Sequence, residues 1–321
     1  MAVEYLTTEV SHARSVRGLG DLTTSDFARC INTYLLSCRV EGKSPQTLAI
    51  YGINLRAFYS FLPPNNSLLA EDITSNDVRL FLYSLQEKKR TPETVHCYYR
   101  GLKSFFNWLV AEGILSKSPM ATIRPPKLPM KIIQPLEHED IMNLLLLCSG
   151  NNFVEVRNRA IILIFLDTGL RLSELTDIRM GNVDFNTETI KVLGKGGKDR
   201  FVRMGRVAQK ALLKYLLIRA VDDSHLWLTE ERHPMAAKGI QTAVKRLMKR
   251  AQVSSTKRGP HTLRHTAAIN CLRNGMGVFS LQIMLGHSSL EMTRRYVSSL
   301  GASDMCQAHE KASPVDNLGI K

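Results

Sequence analysis

A proline-rich and basic stretch, residues 117–135, limits most strongly how this chain can fold. Five prolines lie in it, with four basic side chains between them: Pro119, Pro125, Pro126, Pro129 and Pro135, with Lys117, Arg124, Lys127 and Lys131. Proline removes a backbone donor and fixes φ, so the stretch favours an extended linker over a helix. We therefore expect the 321 residues to form two domains divided near residue 130, each large enough to bury a core.

The residues before this linker have the apolar spacing of α-helices. Between residues 23 and 116, apolar side chains recur every three or four positions, and polar capping sequences at 23–26, 44–45, 75–77 and 91–92 begin four such runs. No strand pattern interrupts them. The sequence predicts a helical bundle over residues 23–116, preceded by a flexible arm over residues 1–22.

The residues after the linker, 136–321, predict a mixed domain. Helical patterns cover residues 137–148, 154–167, 172–180, 207–219 and 238–251, and further helices follow Thr262 with breaks at Gly275, Gly277 and Gly286. Two alternating strands, 189–193 and 201–204, flank the glycine-rich tip 194–198. The expected fold is mainly α, with a small β-hairpin or sheet in the second domain.

The charge of the chain is strongly positive. Of the net charge of +14, +10 falls in residues 131–321. A basic domain attracts a polyanion such as nucleic acid, although a solvated basic surface gives the same balance. The six cysteines include no C-x-x-C pair, so we expect reduced thiols rather than a zinc site.

The start of the chain lacks the apolar core of a signal peptide, and apolar stretches such as 160–166 are too short to cross a bilayer. These features predict a cytoplasmic protein that meets no membrane, and a DNA-binding one would be associated with the nucleoid.

Six polar residues in the second half lie in contexts suited to phosphate chemistry: Arg171 after Gly169-Leu170, Lys195 between glycines, His261 and Arg264 in His-Thr-Leu-Arg, His287 after Gly286, and Tyr296 after Arg294-Arg295. Arginines can clamp a phosphate, lysine and histidine can move protons, and a tyrosine hydroxyl can attack. Residues three apart share a helix face, so His261 and Arg264 can address the same group.

Each of these residues also has an ordinary structural interpretation. Arg171 could pair with Glu174 in one helix, Lys195 could be a solvated hairpin tip, and Tyr296 could be a packing residue. His265 is expected to orient a neighbour or to pack rather than to take part in catalysis. His261 and His265 have metal-ligand spacing on a helix, but no third ligand follows at a telling distance, so no metal is expected.

Taken together and in order, these motifs resemble the tyrosine recombinase family, also called the phage integrase family, over roughly residues 23–310. The resemblance is greatest to the Xer and mobile-element integrase branch. It implies a SAM-like, core-binding helical domain at 23–116 and a catalytic domain of the DNA breaking-rejoining type at 136–321.

The resemblance also assigns roles to the six residues. Tyr296 would attack the scissile phosphate and form a 3′-phosphotyrosyl link, with Arg171 and Arg264 on the non-bridging oxygens. Lys195 would protonate the leaving 5′-oxygen. His261 would handle the tyrosine proton, His287 would donate to the phosphate, and Glu174 would orient the site from behind.

The family implies neither metal nor cofactor nor ATP, because arginines neutralise charge and the covalent intermediate keeps the phosphodiester energy. Its partners would be a double-stranded recombination site held between the two domains, and four protomers on two sites, identical or from a related recombinase. Residues 302–312 are expected to form a short helix that joins protomers. Two alternatives stay open: a catalytically inactive DNA-binding accessory protein of the same fold, and relaxation of DNA in the manner of a type IB topoisomerase.

Overall fold

The computed structural model describes residues 26–63, 68–129, 133–193, 199–255 and 258–313. The predicted arm at 1–22 and the hairpin tip at 194–198, which includes Lys195, lie outside the described residues. The chain divides into two compact units, with the division between residues 130 and 131. Each unit has its own hydrophobic core.

The described part of the first unit contains four α-helices and one 3-10 turn: α1 Asp26–Val40, α2 Pro45–Tyr59, the turn Ala70–Asp72, α3 Ser75–Glu87 and α4 Pro92–Ala111. Local chemistry explains where they begin. Pro45 and Pro92 occupy first turns, where no amide donor is needed. At the start of α3, the Thr74 hydroxyl accepts from the Asp77 amide at 3.3 Å, and the Asp77 carboxylate accepts from the Thr74 amide at 2.8 Å.

Aromatic rings fill the core of the first unit. The ring of Phe27 meets Phe105 edge-on with centroids 5.7 Å apart, and Phe58 meets Phe81 in the same way at 5.2 Å. Edge-to-face pairs of this kind add stability beyond the area that they bury. The bundle is therefore held by apolar packing around its four amphipathic helices.

Nine α-helices and a small sheet are described in the second unit. The helices are α5 His138–Leu146, α6 Phe153–Thr168, α7 Leu172–Thr176, α8 Arg206–Arg219, α9 Ala237–Arg250, α10 Pro260–Arg273, α11 Val278–Leu285, α12 Leu290–Val297 and α13 Ala302–Ala312. Helix α6 is buried over much of its surface because it packs against both α8 and α10.

The sheet has three antiparallel strands in the order β1 Val183–Asp184, β2 Thr189–Leu193 and β3 Asp199–Arg203. Ile190 pairs with Val202, and both lie in the core together with Val192 on the same face, as the alternation in the sequence predicts. Strand β1 was not predicted, because two residues are too few to show alternation. The mainly α fold with a small sheet is confirmed.

One boundary differs from the sequence-based expectation. The helix predicted over 172–180 ends at Thr176, since the chain turns through a 3-10 segment, Met180–Asn182, to enter β1. Residues at the two edges of the predicted linker contact the units on either side. Met120 is buried in the core of the first unit, and the Leu136 amide donates to the Thr266 hydroxyl at 2.9 Å in the second. Across the described ranges, no helix is long and apolar enough to span a membrane.

Candidate active site

The C-terminal turn of α11 binds three arginines that come from distant parts of the chain. The pairs are Arg200 Nε to the Met284 carbonyl (3.1 Å), Arg264 Nη2 to the Leu285 carbonyl (2.8 Å) and Arg171 Nη2 to the Gly286 carbonyl (2.8 Å). The last carbonyls of a helix lack partners within it and carry partial negative charge, which attracts cations. One helix end therefore gathers three guanidinium groups.

Gly286 allows this turn to form. Its φ of +63° lies in the left-handed region, where a side chain is strained. A Cβ at this position would also lie 2.9 Å from Cζ of Arg200. Any other residue here would thus distort the turn and displace an arginine.

Glu174 ties two of the arginines together from the other side. Its carboxylate accepts two hydrogen bonds from Arg200, at 2.8 and 2.9 Å, and one from the Arg171 guanidinium at 2.7 Å. Burial by itself raises the pKa of Glu174, but the hydrogen bonds from Arg200 and from the Arg171 backbone amide outweigh it and lower the pKa to about 2. Glu174 is therefore ionised at neutral pH and holds both guanidiniums in place.

Arg264 is 5% exposed and lies in the middle of the cluster. Besides Leu285, its Nη1 donates to the Gly169 carbonyl at 2.6 Å. Burial, together with the charge of the nearby Arg171, lowers its pKa to about 10, which leaves it charged at neutral pH.

His287 is fixed in one neutral form by its neighbours. Arg264 Nη2 lies 3.1 Å from His287 Nε2, and since a guanidinium only donates, Nε2 must be the acceptor. Nδ1 then carries the hydrogen and donates to the Thr293 hydroxyl at 2.9 Å. Burial first, and then Arg264 and Arg171, lower the pKa of His287 to about 4, in agreement with a neutral ring.

Tyr296 projects from α12 into this cluster and is 2% exposed. Its ring stacks on His287 with centroids 6.1 Å apart and an interplanar angle of 8°. Its hydroxyl oxygen lies 3.0 Å from His265 Nδ1. Burial raises the pKa of the phenol, and Arg264 and Arg295 oppose that rise.

His261 lies at the exposed first turn of α10, on the same side of the helix as His265, with ring centroids 6.5 Å apart. Partial burial of the ring and the charge of Arg264 lower its pKa. The structure therefore brings five of the predicted residues into mutual contact, namely Arg171, Glu174, Arg264, His287 and Tyr296, with His261 at their edge. The sixth predicted catalytic residue, Lys195, lies outside the described residues.

Sequence patterns of known families cover both units. The pattern of the phage integrase family matches residues 134–302, and that of the phage integrase N-terminal SAM-like domain matches residues 31–114. The chain belongs to the phage integrase family. The resemblance to tyrosine recombinases that the sequence motifs carry is thereby confirmed.

The relatives of this tyrosine recombinase extend over most of its length. It is 30% identical to the tyrosine recombinase XerC of Anoxybacillus flavithermus over 275 residues, which cover 83% of this chain and 91% of the relative. It is also 30% identical to the XerC of Oceanobacillus iheyensis over 296 residues, or 89% and 96% of the two chains. The predicted enzyme class, a tyrosine-type recombinase, is thus confirmed.

Solved structures share the fold. The Tn1549 transposon integrase in complex with transposon right end DNA matches with a TM-score of 0.71 and 21% identity, over 88% of this chain and 99% of that one. The XerH site-specific recombinase bound to its palindromic difH substrate matches with a TM-score of 0.67 and 23% identity, over 84% and 80%. At these identities the likeness establishes the architecture.

Sequence reasoning missed one member of the recombinase site, Arg200. It lies on β3 opposite Val192 and two residues before Val202, so the alternation of the strand turns it inwards. An arginine at an inward strand position must find a partner, because a buried unpaired charge is costly. The inward position of Arg200 could be predicted from the alternation in the sequence. Its pairing with Glu174 could not.

The cluster is suited to bind an anion. Three guanidiniums face one carboxylate, so the site has excess positive charge at neutral pH. Burial and then the charge of Arg264 lower the pKa of both neighbouring histidines, which are therefore neutral there. Among the described residues, no group of three histidine, cysteine or acidic side chains could hold a metal ion. Forked guanidinium donors of this kind match the paired oxygens of a phosphate or a carboxylate.

Proposed function

We propose that this recombinase cuts and rejoins duplex DNA at a specific site, with Tyr296 as the nucleophile that forms a 3′-phosphotyrosyl link. The observation that carries the proposal is the position of the Tyr296 phenol beside Arg264, in a cluster whose positive charge exceeds its negative charge. A phosphate bound there would meet a nucleophile and forked donors at once. Proximity and charge neutralisation are the main terms in phosphoryl transfer.

Arg171 and Arg264 are the residues proposed to hold the non-bridging oxygens. In the structure their guanidiniums donate to main-chain carbonyls and to Glu174, contacts that fix their orientation and leave further N–H groups. Because arginine stays charged, the donors are in place before charge develops in the transition state. Glu174 and Arg200 would act through these two residues rather than on the phosphate.

His287 is proposed to donate a hydrogen bond to the phosphate. Both of its ring nitrogens already have partners, so one of them must be released first. Its Nδ1 hydrogen is engaged by Thr293 and its Nε2 accepts from Arg264. A phosphate that drew Arg264 towards itself would free Nε2, and the added negative charge would raise the pKa of the ring. Lys195 is proposed as the general acid for the 5′-oxygen, and His261 as a further group at the exposed edge of the phosphate site.

The proposed domain limits are 1–22, 23–116, 117–135 and 136–321. The division between residues 130 and 131 and the matched ranges 31–114 and 134–302 support them.

For the first unit we propose DNA contact through α4. His96, Arg100, Lys103 and Asn107 recur at helical spacing along it, and the last three are exposed.

We also propose a tetramer on two DNA sites, joined through α13. This helix follows the proposed nucleophile closely and most of its described side chains are exposed, while Asp304 accepts from Arg273 Nε of its own unit at 3.0 Å. Removal of residues 302–321 should leave binding to one site intact and abolish assembly of two. Unchanged recombination by the truncated protein would contradict this role.

A chromosomal or mobile-element substrate would place the protein in the cytoplasm with the nucleoid.

The central test uses duplexes selected for binding to the protein from a pool of random sequence, then nicked so that cleavage is trapped. The wild type should give an SDS-resistant adduct, and Tyr296→Phe should give none while still binding. Equal adduct from both proteins would remove Tyr296 from its role. Absence of adduct from the wild type on every bound sequence would favour the inactive accessory protein.

A further inference from the structure

The hydroxyl oxygen of Tyr296 has a histidine partner other than the one that the family resemblance assigns. That partner is His265, whose Nδ1 lies 3.0 Å from the oxygen. We propose that His265 is the catalytic residue that takes the proton of Tyr296 during cleavage and returns it during rejoining. This rests on the proposed role of Tyr296 as the nucleophile.

His287 is positioned for a different task. Its ring lies parallel to the tyrosine ring, so its nitrogens, whose hydrogens and lone pairs lie in the ring plane, do not point at the phenol oxygen. Both nitrogens are also engaged, one by Arg264 and one by Thr293. To take the tyrosine proton, His287 would have to give up one of these hydrogen bonds.

His261 lies one helical turn before His265, at the exposed start of α10. Its ring stacks on that of His265 with centroids 6.5 Å apart, and the His265 ring in turn lies 5.6 Å from the ring of Tyr296. At the exposed start of the helix, His261 is placed to meet a bound substrate, whereas His265 contacts the phenol oxygen.

The phenol needs a proton acceptor because it is buried. Tyrosine ionises near pH 10 even in water, and burial raises the pKa of Tyr296 further. At neutral pH the nucleophile is thus stored as a neutral phenol. A base in hydrogen-bond contact is the recognised geometry for activating such a group.

The step balances without a further reactant. With its ring hydrogen on Nε2, His265 presents the Nδ1 lone pair to the phenol. The O–H bond of Tyr296 breaks as an N–H bond forms on Nδ1, and the phenolate oxygen bonds to phosphorus. The bond from phosphorus to the 5′-oxygen breaks, and that oxygen takes a proton from the general acid. In rejoining, the imidazolium returns its proton to the departing tyrosine oxygen.

The test compares two histidine variants, each with tyrosine or 3,5-difluorotyrosine at position 296 in the full-length protein. The fluorinated phenol ionises more easily and depends less on a base. His265→Asn keeps a polar group near the place of Nδ1 but cannot take a proton, and His261→Asn is its matched partner one turn away. Adduct formation in a single turnover is measured on the selected nicked duplexes, with thermal unfolding and DNA binding recorded for every protein.

With tyrosine, we expect His265→Asn to slow adduct formation about 100-fold, the usual contribution of a general base. With difluorotyrosine the loss should shrink to less than about tenfold relative to the fluorinated parent. The loss in His261→Asn should be the same with either phenol, because a missing phosphate contact does not depend on the ionisation of the nucleophile.

Two results would overturn the proposal: a His265→Asn loss that fluorination leaves unchanged, or fluorination that rescues His261→Asn instead. Tyr296→Phe separates this failure from failure of the proposed function. If that variant forms no adduct while His265→Asn matches the wild type, Tyr296 remains the nucleophile and only the base is misassigned. If Tyr296→Phe still forms adduct, the proposed function itself is wrong.

Discussion

The first unit encloses an almost wholly apolar interior, whereas the second buries charged side chains next to its helices. Among the described residues of the first unit, Asn54 is the one polar side chain counted as buried; the second buries Glu174 and Arg264 beside apolar neighbours. Apolar packing is non-directional and tolerates small changes. A buried ionic cluster depends on each partner, because the loss of one leaves the others desolvated and unpaired. Robust packing and a fragile site therefore coexist in one chain.

The largest expected effect comes from Glu174→Gln. It removes the negative charge that faces Arg171 and Arg200, and it should cost about 3–5 kcal/mol of the unfolding free energy of the second unit. Urea unfolding followed by a signal from that unit measures this. Asp140→Asn is the control, since the Asp140 carboxylate accepts from the neutral Ser254 amide and hydroxyl, and it should cost only about 1–2 kcal/mol. Equal losses of unfolding free energy in the two variants would show that a buried ion pair is no more sensitive to the change than a buried neutral hydrogen bond.

A smaller effect is expected from Thr74→Ala at the start of α3. The change removes a side-chain cap and should destabilise the first unit by about 1 kcal/mol. The rate of adduct formation on saturating DNA should stay at the wild-type value, because the cap belongs to the apolar bundle. A slower rate at full DNA occupancy would show that the site depends on the first unit more closely than the packing implies.

The smallest expected effect is a pH dependence that comes from His287. An unfolded histidine gains a proton near pH 6.5, whereas the folded ring gains it only near about pH 4. The unfolded state therefore binds more protons between these values, and stability falls as the pH drops from about 6.5 to about 4. Compared with His287→Gln, the wild type should lose more in melting temperature over that window, and the difference should be small because solvent screens the partly exposed ring. Parallel curves for the two proteins would show that the ring is not held neutral.

The contrast between the apolar first unit and the ionic cluster of the second also explains which features could be predicted from the sequence. The helices of the first unit follow from local signals, such as the proline at the start of α4 and the cap at Thr74. In the second unit, the spacing of His261 and Arg264 predicts a shared helix face, but the partners of the arginines lie far along the chain. Arg171 bonds to a carbonyl 115 residues away, and Arg200 to one 84 residues away. No local pattern encodes such pairs.

The contact between His265 and Tyr296 shows the same limit on a smaller scale. The sequence predicts that His265 orients a neighbour or packs, and its hydrogen bond to the phenol agrees with the first of these. Which neighbour it meets depends on how α12 returns to α10 after the turn at Gly286, a tertiary property. The roles of the individual site residues accordingly remain proposals that the experiments above decide.

The turn that ends α11 also bears on how the protein is made. A ribosome delivers residues in order, and domains fold as they emerge. A nascent chain that extends only through β3 already contains Arg171 and Arg200 but not the helix end that holds them. Tyr296, the proposed nucleophile, emerges later still, ten residues after Gly286. A nascent chain that stops before α11 therefore lacks both the helix end that gathers the arginines and the residue proposed to attack, so we do not expect it to cut DNA.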